Sequence, residues 1–290
     1  MIFVSLQGGL GNQLFQYAAA KALAERKRER VYLDTGKLVE NISGVTQRKY
    51  QLGAFNISGK IATEKQLEKV RQTSITRKLH NKVLPYYKKK IYIEPFFQFD
   101  KNFFKASSPV LLQGYWQSEK YFKHISGSIR HSLKVTAPLS AATRQMAAKI
   151  KSSNAVSIHI RRGDYVNDPE TQKVHGSCGI DYYKKAISII AEKFSSIHLF
   201  VFSDDINWAK ENLPAGFPVE FADHTDADHA YEDLYLMSLC NHNIIANSSF
   251  SWWGAWLNNH AGKMVITPAK WFNEKEADTK DLFPEGWIVI

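Results

Sequence analysis

The sequence predicts an α/β protein built on parallel sheets and divided into two domains. Three observations carry this. A strand, a glycine turn, a helix and a second strand follow one another over residues 2–34, the order of a βαβ unit. A longer alternation of strands and helices fills residues 155–267. Between the two, Pro138 and Ser152-Ser153-Asn154 punctuate the chain, which sets the expected domains at 1–150 and 151–290.

The elements follow in order. Ile2–Leu6 reads as a buried strand, and Gly8, Gly9 and Gly11 form the turn after it. Residues 12–25 carry Leu14, Tyr17, Ala18, Ala22 and Leu23 near helical spacing, and 31–34 is the next strand. Residues 60–90 are rich in Lys and Arg and predict surface helices, whose charge reads as a solvated face or an anionic contact. Over 91–135 the aromatics Phe96, Phe97, Phe99, Phe103, Phe104, Tyr115 and Trp116 read mainly as core, although an exposed ring beside a cleft would suit sugar stacking. Residues 136–150 are helical. Strands are then expected at 155–160, 197–202, 218–222, 243–246 and 263–267, with helices at 181–194, 204–213, 230–240 and 249–259.

Composition narrows the class. Of the 290 residues, 44% are hydrophobic and 23% charged, which excludes a disordered chain, a collagen-like repeat and a disulfide-stapled scaffold. The formal net charge of +10 favours anionic partners without choosing among nucleotides, phosphorylated sugars, nucleic acid and membrane. No RNA-binding signature is present. Cys178 and Cys240 form no CxxC pair, so two reduced thiols are expected rather than a zinc framework. No apolar run approaches the ~18–20 residues that span a bilayer. Met1–Leu6 lacks the features of a secretion signal, so a cytoplasmic enzyme is the expectation.

Ligands of open parallel sheets bind beyond the carboxyl ends of the strands, and three such ends carry unusual residues. The first is His159-Ile160-Arg161-Arg162-Gly163-Asp164-Tyr165. A guanidinium offers a rigid donor fork that matches two phosphate oxygens. Adjacent residues of an extended segment point to opposite faces, so one arginine can enter a crevice while the other pairs elsewhere, with Asp164 a candidate partner. The second end is Ser203-Asp204-Asp205, and the third is Asn247-Ser248-Ser249-Phe250-Ser251-Trp252-Trp253-Gly254. Ser248 and Ser249 read equally as an N-cap and as an anion site. Trp252, Trp253 and Trp256 have helical spacing and read as core. Gly8-Gly9-Leu10-Gly11-Asn12-Gln13 has the shape of a phosphate turn but fits neither a Walker loop nor GxGxxG; Gly9 and Gly11 also read as room for close helix–strand packing. Asp223–His229 offers Asp226, Asp228 and two histidines to a metal, but reads better as a polar loop that caps the next helix.

Together, residues 7–24 (QGGLGNQLFQYAAAKALA), 159–166 (HIRRGDYV), 202–205 (FSDD) and 247–257 (NSSFSWWGAWL) resemble the family 11 glycosyltransferases, the α-1,2-fucosyltransferases that use GDP-fucose. The compact start at Met1 is similar to the bacterial members, which lack the membrane anchor of the animal enzymes. The resemblance implies a GT-B fold, with two Rossmann-like domains facing across a cleft, the acceptor on the first and GDP-fucose mainly on the second. It implies inverting transfer of L-fucose to the 2-hydroxyl of a terminal galactose, on an oligosaccharide or a lipid-linked glycan such as an O-antigen. Carried over, it places Arg161 on the β-phosphate, His159 and Asp204 near guanine or ribose, Ser248 and Ser249 on the diphosphate, and Asn12 of the Gly9–Gly11 turn toward the fucose–phosphate end.

Breaking the fucose C1–O bond builds charge on GDP, which a fixed guanidinium with hydroxyl and amide donors can stabilise. Catalysis without a metal or other cofactor is therefore expected. The general base stays open among Asp164, Asp168, Glu170 and His175, with Asp164 also an anchor for Arg162. The 65–90 segment could rest on an anionic membrane; nucleic acid is not an expected partner. Another nucleotide-sugar transferase of the same fold and a non-catalytic carbohydrate-binding module are the alternative readings.

Overall fold

The computed structural model describes residues 1–39, 48–71, 83–163, 176–214, 216–273 and 278–290. It divides the chain into a first unit, Met1–Thr136 with Asp278–Pro284, and a second, Ala137–Ala277 with Glu285–Ile290.

The first unit holds a parallel sheet of β1 (Ile2–Ser5), β2 (Val31–Asp34), β3 (Lys60–Ile61), β4 (Ile91–Ile93) and β5 (Val110–Gln113), in the order β3-β2-β1-β5-β4. β1 is buried throughout, Ser5 included, as a central strand of a parallel sheet is. The helices are α1 (Leu10–Lys27), α2 (Gly36–Val39), α3 (Glu64–Arg71) and α4 (Ser126–Ser132). α1 ends at Arg28 in the left-handed conformation, with Arg26 and Lys27 in its last turn, a favourable placement at the negative end of the helix dipole. Of the aromatics beyond β4, Phe103 and Trp116 are buried in the core, whereas Phe96 and Tyr115 are exposed. The Phe103 ring lies 4.7 Å from Tyr121 and 5.1 Å from Trp116.

The second unit contains α5 (Ala141–Lys151), β6 (Asn154–Ile160), α6 (Ile180–Ala191), β7 (Ile197–Ser203), α7 (Ile206–Asn212), β8 (Val219–Phe221), α8 (Ala230–Leu239), β9 (His242–Ile244), α9 (Ser249–Leu257), β10 (Val265–Thr267) and β11 (Ile288–Val289). Its parallel sheet has the order β11-β10-β9-β6-β7-β8. Counted from β6, that is the doubly wound nucleotide-binding order, which reverses between β6 and β9. Trp252 and Trp253 are fully buried and Trp256 nearly so, with Trp287 of the last segment 5.5 Å from Trp252. Cys178 and Cys240 are buried free thiols.

The units meet in sequence at residue 136, not at 150. The reason is Glu232 on α8. Its carboxylate accepts from Ser140 N at 2.7 Å and Ser140 Oγ at 2.8 Å, fastening the start of α5 to the second unit. Residues 278–284 belong to the first unit for a similar reason: Asp281 accepts from Phe99 N at 3.1 Å and from Ser118 Oγ, on its carbonyl, at 2.6 Å, and pairs with Lys120.

Candidate functional site

The second unit brings together most of the residues singled out in the sequence. β6 lies between β7 and β9, so His159–Gly163, Ser203–Asp205 and Asn247–Ser249 leave three adjacent strands at their carboxyl ends. Arg161 Nη1 lies 2.9 Å from Asp204 Oδ2, with both side chains about a quarter exposed at 25% and 25%. The other Asp204 oxygen accepts from Arg162 N at 2.8 Å. One carboxylate thus fixes both a guanidinium and the backbone that carries it. Gly163 permits this: a Cβ there would lie 2.8 Å from Asp204 Oδ2.

Arg162 takes the opposite direction. Its guanidinium stacks 4.1 Å from the Trp208 ring centroid and its Nε lies 3.4 Å from Asp205 Oδ2, a cation–π contact backed by a long ion pair. The partners that hold Arg162 here are therefore Asp205 and Trp208. Asp164 lies outside the described residues, as do Asp168, Glu170 and His175.

His159 is buried, and its Nδ1 finds no partner among the described residues. Burial, then the Arg161 charge, pushes its pKa down to about 3, so the imidazole is neutral at any physiological pH. Its ring lies 5.5 Å from Phe250 on α9, which links the ends of β6 and β9. Ser248 is the N-cap of α9, accepting from Phe250 N at 3.3 Å; its hydroxyl proton can still be donated. Ser249 is half-buried in the first turn. The capping reading of the serine pair holds for Ser248.

The glycine turn lies in the first unit. Gly8 has φ +75°, and a Cβ there would fall 2.5 Å from Asn12 Nδ2, so only glycine suits it. Gly9 is the N-cap position of α1; a Cβ on it would meet nothing within 4 Å, so close packing does not explain it. Gly11 is buried in α1. Asn12 Oδ1 accepts from Gln117 Nε2 at 2.8 Å, which turns its Nδ2 toward Gly8.

The sequence reading missed the amides that hold this turn. Gln13 Nε2 donates to Gly8 O at 3.0 Å, and Gln16 Nε2 donates to Gly114 O at 3.1 Å. Both glutamines are fully buried; the signal in the sequence was their place beside Leu14, Phe15 and Tyr17 on the apolar first half of the helix. Asp233 was missed too. Its carboxyl accepts from Thr225 Oγ1 at 2.8 Å, and burial raises its pKa to about 7.

Asp226 behaves as a cap, accepting from Asp228 N at 2.9 Å and His229 N at 3.0 Å. His224 Nε2 lies 2.9 Å from Thr143 Oγ1. No cluster of three potential metal ligands occurs among the described residues.

Comparison with known proteins follows the same lines. The family model described as glycosyl transferase family 11 matches residues 1–290. The chain is 34% identical over 310 residues to the O-antigen biosynthesis glycosyltransferase WbnK of Escherichia coli, covering 100% of both chains. It is 33% identical over 296 residues to an Escherichia coli alpha-1,2-colitosyltransferase, covering 100% of this chain and 99% of the other. Galactoside 2-alpha-L-fucosyltransferase Sec1 of Mus musculus is 33% identical over 108 residues, 36% of this chain and 29% of that one. Among solved structures, an Arabidopsis thaliana FUT1 mutant in complex with GDP shares the fold, with a TM-score of 0.53 at 12% identity over 99% of this chain and 75% of that one.

Proposed function

We propose that this chain, which belongs to glycosyl transferase family 11, moves L-fucose from GDP-β-L-fucose to the 2-hydroxyl of a terminal galactose with inversion. One observation carries the reading: Arg161 is held by Asp204 beside the point where the second sheet reverses, with the N-terminus of α9 at the neighbouring strand end. A fixed cation and a set of helix-start donors suit a leaving diphosphate. In this reading Arg161 takes the β-phosphate and Ser248 and Ser249 add hydroxyl and amide donors. Neutral His159 and Asp204 line the nucleoside side, and Asn12 presents its amide to the sugar–phosphate end. The guanidinium does the work a divalent ion would otherwise do, so the reaction needs no metal.

A second donor is favoured by the full-length likeness to a colitosyltransferase. Colitose is fucose without one ring hydroxyl, and a pocket that hydrogen-bonds that hydroxyl rejects the deoxy sugar by about 10⁴–10⁵. Initial rates of GDP release with GDP-fucose and GDP-colitose, over a panel of galactosides, test both. Faster turnover of GDP-fucose supports the first reading; a preference for GDP-colitose replaces it with the second. The acceptor on this reading is a free or lipid-linked galactoside at the inner face of a membrane. No described helix is long and apolar enough to cross one, and pelleting with anionic liposomes at low salt tests the peripheral contact.

A further inference from the structure

We infer that the carboxyl ends of β4 and β5 form a sugar subsite, with Tyr115 as the stacking ring and Glu94 as the hydrogen-bond acceptor for the terminal hexopyranose of the acceptor glycan. This rests on the transferase reading and adds the residues that would hold its second substrate.

Three observations support the assignment. The first sheet reverses between β1 and β5, and ligands of such sheets bind outside the strand ends at that point. The loop after β5 faces the glycine turn there, through Gln117 to Asn12 and Gln16 to Gly114. Next, Tyr115 is 42% exposed, and Ile93 and Phe96, on either side of Glu94 and Pro95, are 64% and 46% exposed. An exposed ring of this kind offers a pyranose a flat apolar face. Finally, Glu94 accepts from Tyr115 N at 2.7 Å on one oxygen and from Trp116 N at 3.0 Å on the other, and each oxygen keeps a lone pair for a hydroxyl. No cation pairs with Glu94 among the described residues. The titratable groups that face it are Tyr115 and Tyr121. Burial raises its pKa to about 7 against those two amides. An unpaired carboxylate of this kind repels a diphosphate and suits a neutral, hydroxyl-rich ligand.

The test is steady-state transfer from GDP-fucose to lactose, with Tyr115→Ala, Tyr115→Phe, Phe96→Ala and Glu94→Gln. Tyr115→Ala should raise KM for lactose about tenfold, the size of a lost aromatic contact, with KM for GDP-fucose within twofold. Tyr115→Phe should restore the lactose KM. Glu94→Gln turns an amide N–H₂ toward a backbone donor, so its loop can be disturbed; the Tyr115 pair keeps the test valid if that variant misfolds. An unchanged lactose KM in Tyr115→Ala overturns the subsite. Absence of any GDP release from GDP-sugars by the wild-type chain instead overturns the transferase reading, and saturation-transfer NMR of lactose with wild type and Tyr115→Ala then decides the subsite alone.

Discussion

Two parallel sheets of the same chain reverse their strand order, and the two reversal points differ in chemistry. In the second unit the strand ends carry Arg161, pinned by Asp204, and the start of α9. In the first unit they carry amides, Glu94 and exposed Tyr115. Both frames supply the same crevice. What fills it decides the ligand: a fixed cation with helix-start donors favours a diphosphate, whereas a carboxylate with a ring disfavours one. Two parallel scaffolds thus present different side chains at the carboxyl ends of their strands, and a fold by itself does not set the ligand.

The sharpest way to break this contrast is Arg161→Ala. Loss of one preorganised contact to a developing anion costs about 10²–10³ in turnover, and Arg161→Lys should not restore it because the planar fork is gone. A variant that keeps more than a tenth of wild-type kcat would end the cationic half of the comparison. Gly163→Ala is the next largest. Its Cβ would fall 2.8 Å from Asp204 Oδ2, displacing the group that aims Arg161. A shift of this kind costs about ten- to a hundredfold in kcat, while KM for the acceptor should stay at its wild-type value.

Stability against pH sharpens the comparison further, because the two regions titrate in opposite senses. The His159 pKa is about 3 in the fold against 6.5 as a free side chain. Between those values the unfolded chain binds more protons, so stability is lost as pH falls below 6.5. Glu94 sits at about 7 against 4.5. Between those values the folded chain binds more protons, so stability is lost as pH rises from 4.5 toward 7. Urea midpoints for His159→Gln and Glu94→Gln across pH 4–8 should change slope with opposite signs; a common sign would show that one burial argument is wrong. The smallest expected effect is that of chelation. EDTA should leave kcat unchanged and manganese should not raise it. A rate that fell with EDTA and returned with manganese would put an ion where Arg161 is proposed to act.

Much of the second unit was legible in the sequence, because its central strands β6 and β7 are long, mostly apolar runs followed by polar clusters. Val156 to Ile160 and Leu199 to Phe202 are buried almost throughout, and that pattern marks a strand between two helical layers. The first unit was harder. β3 is a two-residue strand and β4 has three residues, too short for any period to emerge, and β5 was hidden among aromatics that read mainly as core. The Arg161–Asp204 pairing was not legible either, since it joins the ends of two strands through space. The domain boundary was missed because a proline marks a break in the chain, whereas Glu232, far along the sequence, decides which unit keeps α5.

Asp281 has a consequence for biosynthesis. It fastens residues 278–284 to Phe99, Ser118 and Lys120, beside the loop that carries Gln117. A ribosome releases that piece only after every strand of both sheets except β11. The amino-terminal half therefore waits, incomplete, while more than a hundred further residues emerge, and its loop gains its final support only near the end of translation.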